Sequence, residues 1–259
     1  MLFSINNGGL IAHIFSQGFE KEWYFYLGYI GFVLLLIVGS YLFGSINSSI
    51  IISKLLYRDD IRKHGSGNAG MTNMLRTYGK GAAGLTLLGD MLKTALAIVL
   101  AGILFGFNYA GGLSVGDGLC YVAGLFAVIG HIFPIYYGFK GGKGVLATAT
   151  MALILTPVPF LILLLLFVLI VWISKYVSLG SVTTAILYPV MLHGFFTVMF
   201  SEAQHTMPGL AAFSTIALAC IIVWCHRGNL VRISNGTERK ISFKKKPKAE
   251  EEESKNAEN

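Results

Sequence analysis

The sequence predicts an all-α fold: a polytopic membrane helix bundle of about seven transmembrane helices, with its N-terminus outside and its C-terminus cytoplasmic. Composition is the first reason, because 54% of the residues are hydrophobic and only 13% are charged. A soluble chain has about 45–50% apolar and about 25% charged residues. The other reasons are that long apolar runs alternate with short loops, and that basic residues occur in every other loop.

Apolar runs predict the individual spans. A spanning helix needs about 20 apolar residues, with about 17–25 usual. The runs cover residues 23–43, 81–107, 119–139, 144–155, 160–173, 179–200 and 208–224. The first could continue through 50–56. The fourth and fifth are short, and a Pro157-Val158-Pro159 break separates them.

The loops between these runs predict the orientation. The first loop is strongly basic, the third carries Lys140 and Lys143, and the fifth carries Lys175. The second, fourth and sixth loops contain neither lysine nor arginine, and a basic stretch follows the last run. Basic loops stay in the cytoplasm. The alternation therefore places the N-terminus outside and the C-terminus inside.

Three segments make up the predicted domain organisation. Residues 1–22 form an N-terminal extension that could lie at the membrane interface, without the basic-then-apolar pattern of a cleaved signal peptide. Residues 23–232 form the transmembrane bundle. Residues 233–259 mix lysine and glutamate, which predicts a solvated, largely disordered cytoplasmic tail.

The cysteines indicate neither a disulfide framework nor a metal site. Cys120, Cys220 and Cys225 lie in or at the ends of apolar runs, with no CxxC pair and no His/Cys metal spacing. Buried small side chains are the simplest interpretation. We expect no metal and no cofactor. The formal charge of +7 is expected to face lipid headgroups and small anions, with no nucleic-acid partner.

The first cytoplasmic loop is rich in groups that bind anions. Glycines let the backbone approach a ligand and point N–H groups at it, and an arginine offers a bidentate fork for phosphate. The candidates here are Ser66, Gly67, Asn68, Thr72, Asn73 and Arg76. By composition alone, a basic loop that only sets topology explains this segment equally well.

The third loop ends in Gly141-Gly142-Lys143-Gly144, at the start of the fourth apolar run. This pattern resembles an anion nest, with free N–H groups, a positive helix end and a lysine charge. The GxxxxGK[ST] spacing of a Walker A motif is absent, which argues against ATP hydrolysis. A flexible glycine turn is the alternative interpretation.

Two further polar elements end on the same predicted face, one at 175–181 and one at 226–232, the second followed by Gly236-Thr237-Glu238. Each alone is typical of a basic flank at the membrane interface. A bundle would bring all four elements close together. Their combined composition predicts an anion site for one or more phosphates.

Four segments in this order and spacing resemble the bacterial membrane glycerol-3-phosphate acyltransferase family that uses acyl phosphate as donor. They are GSGNAGMTNMLRTYGK (65–80), GHIFPIYYGFKGGKGV (130–145), SLGS (178–181) and HRGNLVRI (226–233). The resemblance covers about residues 39–240. It implies a seven-span protein of the bacterial inner or plasma membrane with its site facing the cytoplasm. It also implies acyl transfer to the 1-hydroxyl of sn-glycerol 3-phosphate, giving 1-acyl-glycerol 3-phosphate and phosphate, the first step of phospholipid synthesis.

The resemblance also implies roles for individual residues. Ser66, Arg76, Lys143 and Ser178 fall where the family's phosphate-binding groups lie, and Asn68, Thr72 and Asn73 extend the first cradle. His226 and Asn229 fall where the closing polar groups lie. Gly141, Gly142 and Gly144 would give the backbone room around Lys143. Whether the tail contacts a soluble acyl-phosphate synthase stays open.

The chain departs from the family pattern at three positions. Asn47 stands where the family usually has proline, Lys175 where it often has arginine, and Gly228 where it has glutamate. The proline exchange is expected to affect the break at the end of the first span. No role is assigned to Lys175 or Gly228.

The mechanism implied is direct attack of the glycerol hydroxyl on the acyl carbonyl. An acyl phosphate is already activated, so a covalent enzyme intermediate is unnecessary, and no Ser/His/Asp constellation is evident. Arg76 and Lys143 would hold phosphate charge. Either His226 or a substrate phosphate oxygen could remove the hydroxyl proton, and we favour the phosphate; His226 would otherwise position the substrate.

Ionisable residues inside the predicted spans suggest a function by default. Asp90 and Lys93 lie three residues apart on one face of the second run, where opposite charges can neutralise each other. We expect a structural pair. His131, at the end of the third run, could shape the helix or contact substrate.

Two other classes of protein remain open from the sequence. An organophosphate transporter would need basic groups along a transmembrane path, whereas those of this chain collect on one face. A non-enzymatic membrane adaptor would not require four polar motifs. Uptake of glycerol 3-phosphate without acyl donor would favour the transporter.

Overall fold

The computed structural model describes residues 9–11, 22–106, 115–199 and 209–241, and within these ranges it contains helices and turns but no strand. The predicted all-α fold is confirmed. The helices are α1 (Glu22–Ser45), α2 (Ser48–Tyr57), α3 (Met71–Phe105), α4 (Val115–Ile132), α5 (Val145–Leu155), α6 (Pro157–Ser174), α7 (Val177–Met199) and α8 (Gly209–Ser234). Two 3₁₀ turns, Ile61–Lys63 and Ile135–Tyr137, lie in the loops that precede α3 and α5.

The described part of the chain has six stretches long and apolar enough to cross a membrane. They are Tyr26–Tyr57, Met71–Phe105, Asp117–Tyr137, Pro157–Ser174, Val177–Val198 and Gly209–Ser234. Helix α5 is apolar but has only 11 residues. About 16 Å of helix falls short of the roughly 30 Å hydrocarbon core. The count of seven crossings stays a prediction, and so does the orientation of the termini.

Helix α4 is the central helix of the bundle. In its apolar window 78% of the residues are buried, against 17–33% in the other long helices, and it packs against α1, α3, α5 and α8. Small residues allow the close approach to α1, because a Cβ on Gly44 would overlap the backbone of Ala127 and one on Gly130 would overlap that of Tyr41. The remaining long helices keep an apolar outer surface.

The first predicted run, 23–43, lies within one helix, and its possible continuation at 50–56 lies within a second. Helix α1 ends at Ser45, and Asn47 caps α2 by accepting a hydrogen bond from the Ile50 amide at 3.2 Å. Asn47 is buried, and it stands where the family usually has proline. A buried asparagine therefore starts the new helix here, because its side chain satisfies a free amide at the helix N-terminus.

Helix α8 extends beyond the apolar run 208–224 that predicts it. It continues to Ser234, and the chain then turns at Gly236, whose φ is +70°. The Ile241 amide donates to the Lys175 carbonyl at 2.9 Å. The folded part thus includes 233–241, beyond the predicted boundary at 232. Residues 242–259, and most of the predicted extension 1–22, lie outside the described residues.

Candidate active site

A cavity of about 450 Å³ lies where the four polar elements meet. One part of its wall is polar, and the other part is apolar. The polar wall includes Ser66, Asn68, Thr72, Asn73, Arg76, Lys143, Ser178, His226, Asn229 and Glu238. The apolar wall includes Leu87, Val145, Leu146, Ala149, Ala152, Phe160, Leu163, Leu164, Phe167 and Ala185. One cavity therefore offers space for both a charged group and an apolar chain.

Asn73 holds the first loop in shape. Its side-chain oxygen accepts from the Ser66 amide at 3.0 Å, and its side-chain nitrogen donates to the carbonyls of His64 at 2.9 Å and Ile61 at 3.2 Å. Asn73 is 1% exposed. Its amide is thus engaged with the loop backbone, although the residue forms part of the cavity wall. The structure gives it a positioning role beside the predicted phosphate-binding role.

Arg62 joins the first loop to the third. Its guanidinium pairs with Asp60 at 2.7 Å and donates to the Tyr137 carbonyl at 2.7 Å. The hydrogen bond from Arg62 holds the pKa of Asp60 at about 2, although partial burial acts in the opposite direction. The Ala69 amide also donates to the Gly141 carbonyl. The two glycine-bearing loops are therefore fixed against each other.

The glycines of the third loop are required by close packing. A Cβ on Gly142 would overlap the His131 ring, and one on Gly141 would overlap the His131 carbonyl oxygen. Neither glycine, nor Gly67, is part of the cavity wall. Gly144 has a φ of +79° and lies directly before α5. The start of α5 therefore faces the cavity with free backbone N–H groups, as the predicted anion nest requires.

Lys143 lies in a polar network that joins three elements. Its ammonium group donates to the side-chain oxygen of Asn229, whose nitrogen donates to Ser178 at 2.9 Å and to Glu238 at 2.6 Å. Burial lowers the pKa of Lys143, and Glu238 opposes this effect. Lys143 and the start of α7 are thus joined through α8. The predicted residues Lys143, Ser178 and Asn229 do meet.

Glu238 is the residue of this network that the sequence argument left unassigned. Its carboxylate accepts from Ser178 at 2.8 Å and from Arg232 at 2.8 Å, as well as from Asn229. Burial alone would raise the pKa of Glu238, but the hydrogen bonds from Asn229, Ser178 and Arg232 outweigh it and lower the pKa. The signal in the sequence was the turn glycine Gly236, which returns the chain toward the end of α8.

Arg76 is exposed on the cavity wall. Its guanidinium forms no ion pair with any residue of the described ranges. A bidentate cation without a carboxylate partner is available to an anion in the cavity. The site therefore combines Arg76, which is free, with Lys143, which a neutral amide holds in place.

His226 presents one defined ring nitrogen to the cavity. Its Nδ1 lies 2.8 Å from the Ile222 carbonyl, so Nδ1 carries the proton and donates. In a neutral ring the other nitrogen, Nε2, is then an acceptor. His226 is buried and forms part of the cavity wall. It can accept a hydrogen bond from a hydroxyl group.

Asp90 and Lys93 form the ion pair expected from the sequence, with the ammonium nitrogen 2.9 Å from the carboxylate. The pair is part of a larger group, because Lys93 also lies 3.0 Å from Nδ1 of His131 and donates to the Ile46 carbonyl at 2.8 Å. All three side chains are buried. Asp90 and His131 also form part of the cavity wall.

The part of the chain that the structure describes holds no cluster of histidine, cysteine, aspartate or glutamate suited to a metal ion. Cys120 is buried, Cys225 is half-buried and Cys220 is exposed. The chemistry offered by the cavity is that of two cations, a histidine acceptor and free N–H groups beside an apolar channel.

Known proteins are similar to this chain in sequence and in fold. The family model described as glycerol-3-phosphate acyltransferase matches residues 34–236. A protein of that name from Syntrophomonas wolfei is 43% identical over 210 residues, covering 81% of this chain and 97% of its own. A protein of the same name from Bacillus subtilis strain 168 is 36% identical over 211 residues, covering 82% of this chain and 98% of its own.

Two solved structures have the same fold. The crystal structure of PlsY (YgiH), an integral membrane glycerol 3-phosphate acyltransferase in its glycerol 3-phosphate form, has a TM-score of 0.68 and 31% identity. The match covers 81% of this chain and 96% of the PlsY chain. The lysophosphatidic acid form of that enzyme has a TM-score of 0.66 and 30% identity. With an apolar helix bundle, four polar motifs converging on one cavity and a match over most of its length, this chain belongs to the glycerol-3-phosphate acyltransferase family of integral membrane proteins.

Proposed function

We propose that this protein transfers a fatty acyl group from acyl phosphate to the 1-hydroxyl of sn-glycerol 3-phosphate. The products are 1-acyl-glycerol 3-phosphate and inorganic phosphate. The observation that carries the proposal is that one cavity joins Arg76 and Lys143 to an apolar channel between α5, α6 and α7. Both substrates bring a phosphate, and one also brings an acyl chain from the membrane.

The phosphates are held by charge and by short polar groups. Arg76 supplies a bidentate fork, and Lys143 supplies a point charge. Ser66, Asn68 and Thr72 form part of the same wall and can donate hydrogen bonds. Ser178 and Asn229 close the opposite side, where Glu238 fixes their orientation. Asn73 forms part of this wall and also shapes the first loop, whereas Gly67, Gly141 and Gly142 lie outside the wall and shape the two loops.

The reaction is one displacement at the acyl carbon. The glycerol 1-hydroxyl oxygen forms the new ester bond, the bond from the acyl carbon to the phosphate oxygen breaks, and phosphate leaves with that electron pair. His226 accepts a hydrogen bond from the hydroxyl through Nε2 and orients it. The departing phosphate takes the hydroxyl proton. Positioning and charge stabilisation then supply the catalysis.

The site is proposed to face the cytoplasm from a bacterial inner or plasma membrane. The basic loops that build the cavity are the loops that the charge distribution assigns to the cytoplasmic face. Acyl phosphate is labile, so brief contact with the soluble enzyme that makes it would limit its loss. The basic residues Lys140, Arg239 and Lys240 are exposed, and Arg239 forms part of the cavity wall.

The test follows phosphate release by the purified full-length protein in detergent or lipid. We expect release only when acyl phosphate and glycerol 3-phosphate are both present. Arg76→Ala and Lys143→Ala should each lower this activity by at least about 10-fold while remaining folded. Activity with acyl-CoA but not acyl phosphate would overturn the donor assignment. Uptake of glycerol 3-phosphate into sealed vesicles without donor would support a transporter instead.

A further inference from the structure

The buried group of Asp90, Lys93 and His131 sits at the crossing of the two glycine-bearing loops. His131 is the penultimate residue of α4, and its carbonyl accepts from the Gly142 amide at 3.1 Å. Its ring lies against Gly142, in the space that a Cβ there would occupy. His131 is 4% exposed, yet it forms part of the cavity wall.

Lys93 fixes the hydrogen-bonding state of this ring. An ammonium group has three N–H donors and no acceptor. Around the Lys93 ammonium nitrogen lie three acceptors: the Ile46 carbonyl at 2.8 Å, Asp90 at 2.9 Å and His131 Nδ1 at 3.0 Å. The Ile46 carbonyl is free for this bond because the chain breaks between α1 and α2. Nδ1 must therefore accept, which leaves the proton of the neutral ring on Nε2.

The Nε2–H group has no acceptor among the described residues. Nε2 is not enclosed by protein atoms, and His131 forms part of the cavity wall, so an acceptor from outside the protein can reach this donor. The ring nitrogen lies at the Gly142 loop, next to Lys143 and at the start of α5. Along α5 the cavity wall then becomes apolar, through Ala149 and Ala152.

We propose that His131 is a further substrate-binding residue of this site, whose Nε2–H donates to the carbonyl oxygen of the acyl group. The inference rests on the acyl transfer proposed above. Arg76 and Lys143 already supply cations for phosphate, whereas His131 offers a neutral donor where the charged and apolar walls meet. The carbonyl oxygen lies at that boundary in any acyl phosphate and gains negative charge during attack. A donor fixed in advance stabilises that charge.

Two substitutions separate this role from simple packing. In His131→Asn the amide oxygen replaces Nδ1 as the acceptor for Lys93, but the donor at Nε2 is lost. In His131→Gln the amide nitrogen reaches the Nε2 position, but the acceptor for Lys93 is lost. If the ring only satisfied Lys93, asparagine would be the better replacement. If the donor acts on substrate, glutamine is better.

We expect His131→Asn to lower kcat/KM for acyl phosphate by about 100-fold, the effect of losing one such donor. His131→Gln should stay within about 10-fold of the wild type, and KM for glycerol 3-phosphate should change little in either. His193→Asn and His193→Gln, at an exposed position on α7, serve as matched controls. Equal losses in the two His131 variants, or a greater loss in His131→Gln, would overturn the proposal. Failure of the wild type to transfer acyl groups would instead refute the proposed function.

A second test keeps His131 in place, so it does not depend on how the His131 variants fold. The chain contains 6 histidines, so ¹⁵N-histidine labelling and substitution of the other histidines in turn identify the His131 signals. Nε2 should be protonated and Nδ1 unprotonated. The Nε2–H resonance should shift with an acyl phosphonate but not with an alkyl phosphonate of equal length, which lacks the carbonyl. The same shift with inorganic phosphate or alkyl phosphonate, or no shift, would refute a carbonyl contact.

Discussion

The two cations of the site differ in how firmly they are held. Lys143 is half-buried and bound to Asn229, and burial lowers its pKa. Arg76 is exposed and forms no ion pair within the described ranges. Arg76 can therefore follow a phosphate as it enters and leaves. Lys143 marks one fixed position, next to the start of α5.

Two substitutions of Arg76 should separate the contribution of its charge to catalysis from that of its bidentate geometry. Arg76→Ala removes a charged hydrogen-bonding partner worth about 1.5–3 kcal/mol, so kcat/KM should fall by about 10–100-fold. Arg76→Lys keeps the charge but loses the bidentate fork, and we expect an intermediate loss. Steady-state rates of phosphate release at varied glycerol 3-phosphate and acyl phosphate measure the effect. Arg227→Ala is the control, because Arg227 is exposed and stacks on Trp224 at 4.3 Å. Equal activity of Arg76→Ala and the control would exclude the assigned role.

Glu238 should make stability depend on acid pH. Its pKa in the folded protein is lowered, so its charge stabilises the fold at neutral pH, and this contribution is lost as pH falls through that pKa. Glu238→Gln should therefore lower the melting temperature at pH 7, and the difference from the wild type should shrink below about pH 4. Thermal unfolding in detergent at a series of pH values measures both.

Asp60 provides the internal comparison for this experiment. Its pKa of about 2 lies below the value of about 3.9 that an aspartate has in an unfolded chain, so its pair with Arg62 stabilises the fold above about pH 4. The difference between the wild type and Asp60→Asn should therefore begin to fall near pH 4 and be lost below about pH 2. A Glu238→Gln difference that stayed constant over this range would mean that the charge of Glu238 is not what holds Ser178 and Asn229.

At single positions, the sequence predicts which residues line the site better than it predicts what each of them does. Arg76, Lys143, Ser178, His226 and Asn229 do share one cavity, because the motifs that carry them end on one face of the bundle. Their roles in catalysis stay predictions. The engagement of the Asn73 amide with its own loop depends on backbone geometry that spacing does not encode. Glu238 follows the last polar element, but a lone glutamate in a charged segment is typical of a solvated tail, so the sequence alone indicates no role for it.

At the level of elements, the third loop depends on the absence of side chains. The Gly142 amide is bound to the His131 carbonyl, and the His131 ring fills the space beside it. The family resemblance implies that these glycines give the backbone room around Lys143. The structure shows that they make room for α4. Loop and helix are thus one packed unit, and Lys143 takes its position from it.

Gly142→Ala should displace this loop. Overpacking of this kind costs about 1–3 kcal/mol, and the shift of Lys143 should lower activity by at least about 10-fold. Gly84→Ala on α3 is the matched control, because a Cβ there meets nothing within 4 Å and helical alanine is favoured over glycine. Melting temperature and phosphate release are measured for both variants. Normal activity in Gly142→Ala would show that Lys143 does not depend on this packing.

The sequence predicts the ends of helices best where the chain changes from apolar to polar residues. The double-proline break appears as the start of α6 at Pro157, since proline is favoured in the first turn of a helix. The break at Asn47 lies in the short polar segment 44–49, between the first run and its possible continuation at 50–56. Helix α8 continues ten residues past Trp224, and in this polar extension His226 and Asn229 are buried at the site. A hydropathy pattern predicts the part of a helix that lies within the membrane, and the helix itself can extend further.

At the scale of the whole molecule, the site determines which helix ends share a face. Lys143 precedes α5, Ser178 lies at the start of α7 and Asn229 lies near the end of α8, and the three are joined by hydrogen bonds. Helices α5 and α6 must therefore run out from that face and back to it. Because α5 has 11 residues and α6 has 18, α5 is about 10 Å shorter than α6.

This geometry predicts that the turn between α5 and α6 reaches the outer face of the membrane. In a variant lacking Cys120, Cys220 and Cys225, single cysteines are introduced as Val158→Cys at this turn and as Arg58→Cys after α2, at exposed positions. A membrane-impermeant maleimide applied to intact cells should label Val158→Cys and not Arg58→Cys. Permeabilised cells should label both. Labelling of Arg58→Cys from outside would invert the orientation, since basic loops are retained inside. Labelling of both, or neither, in intact cells would mean that these positions do not report opposite faces, and the out-and-back path of α5 and α6 across the bilayer would be wrong.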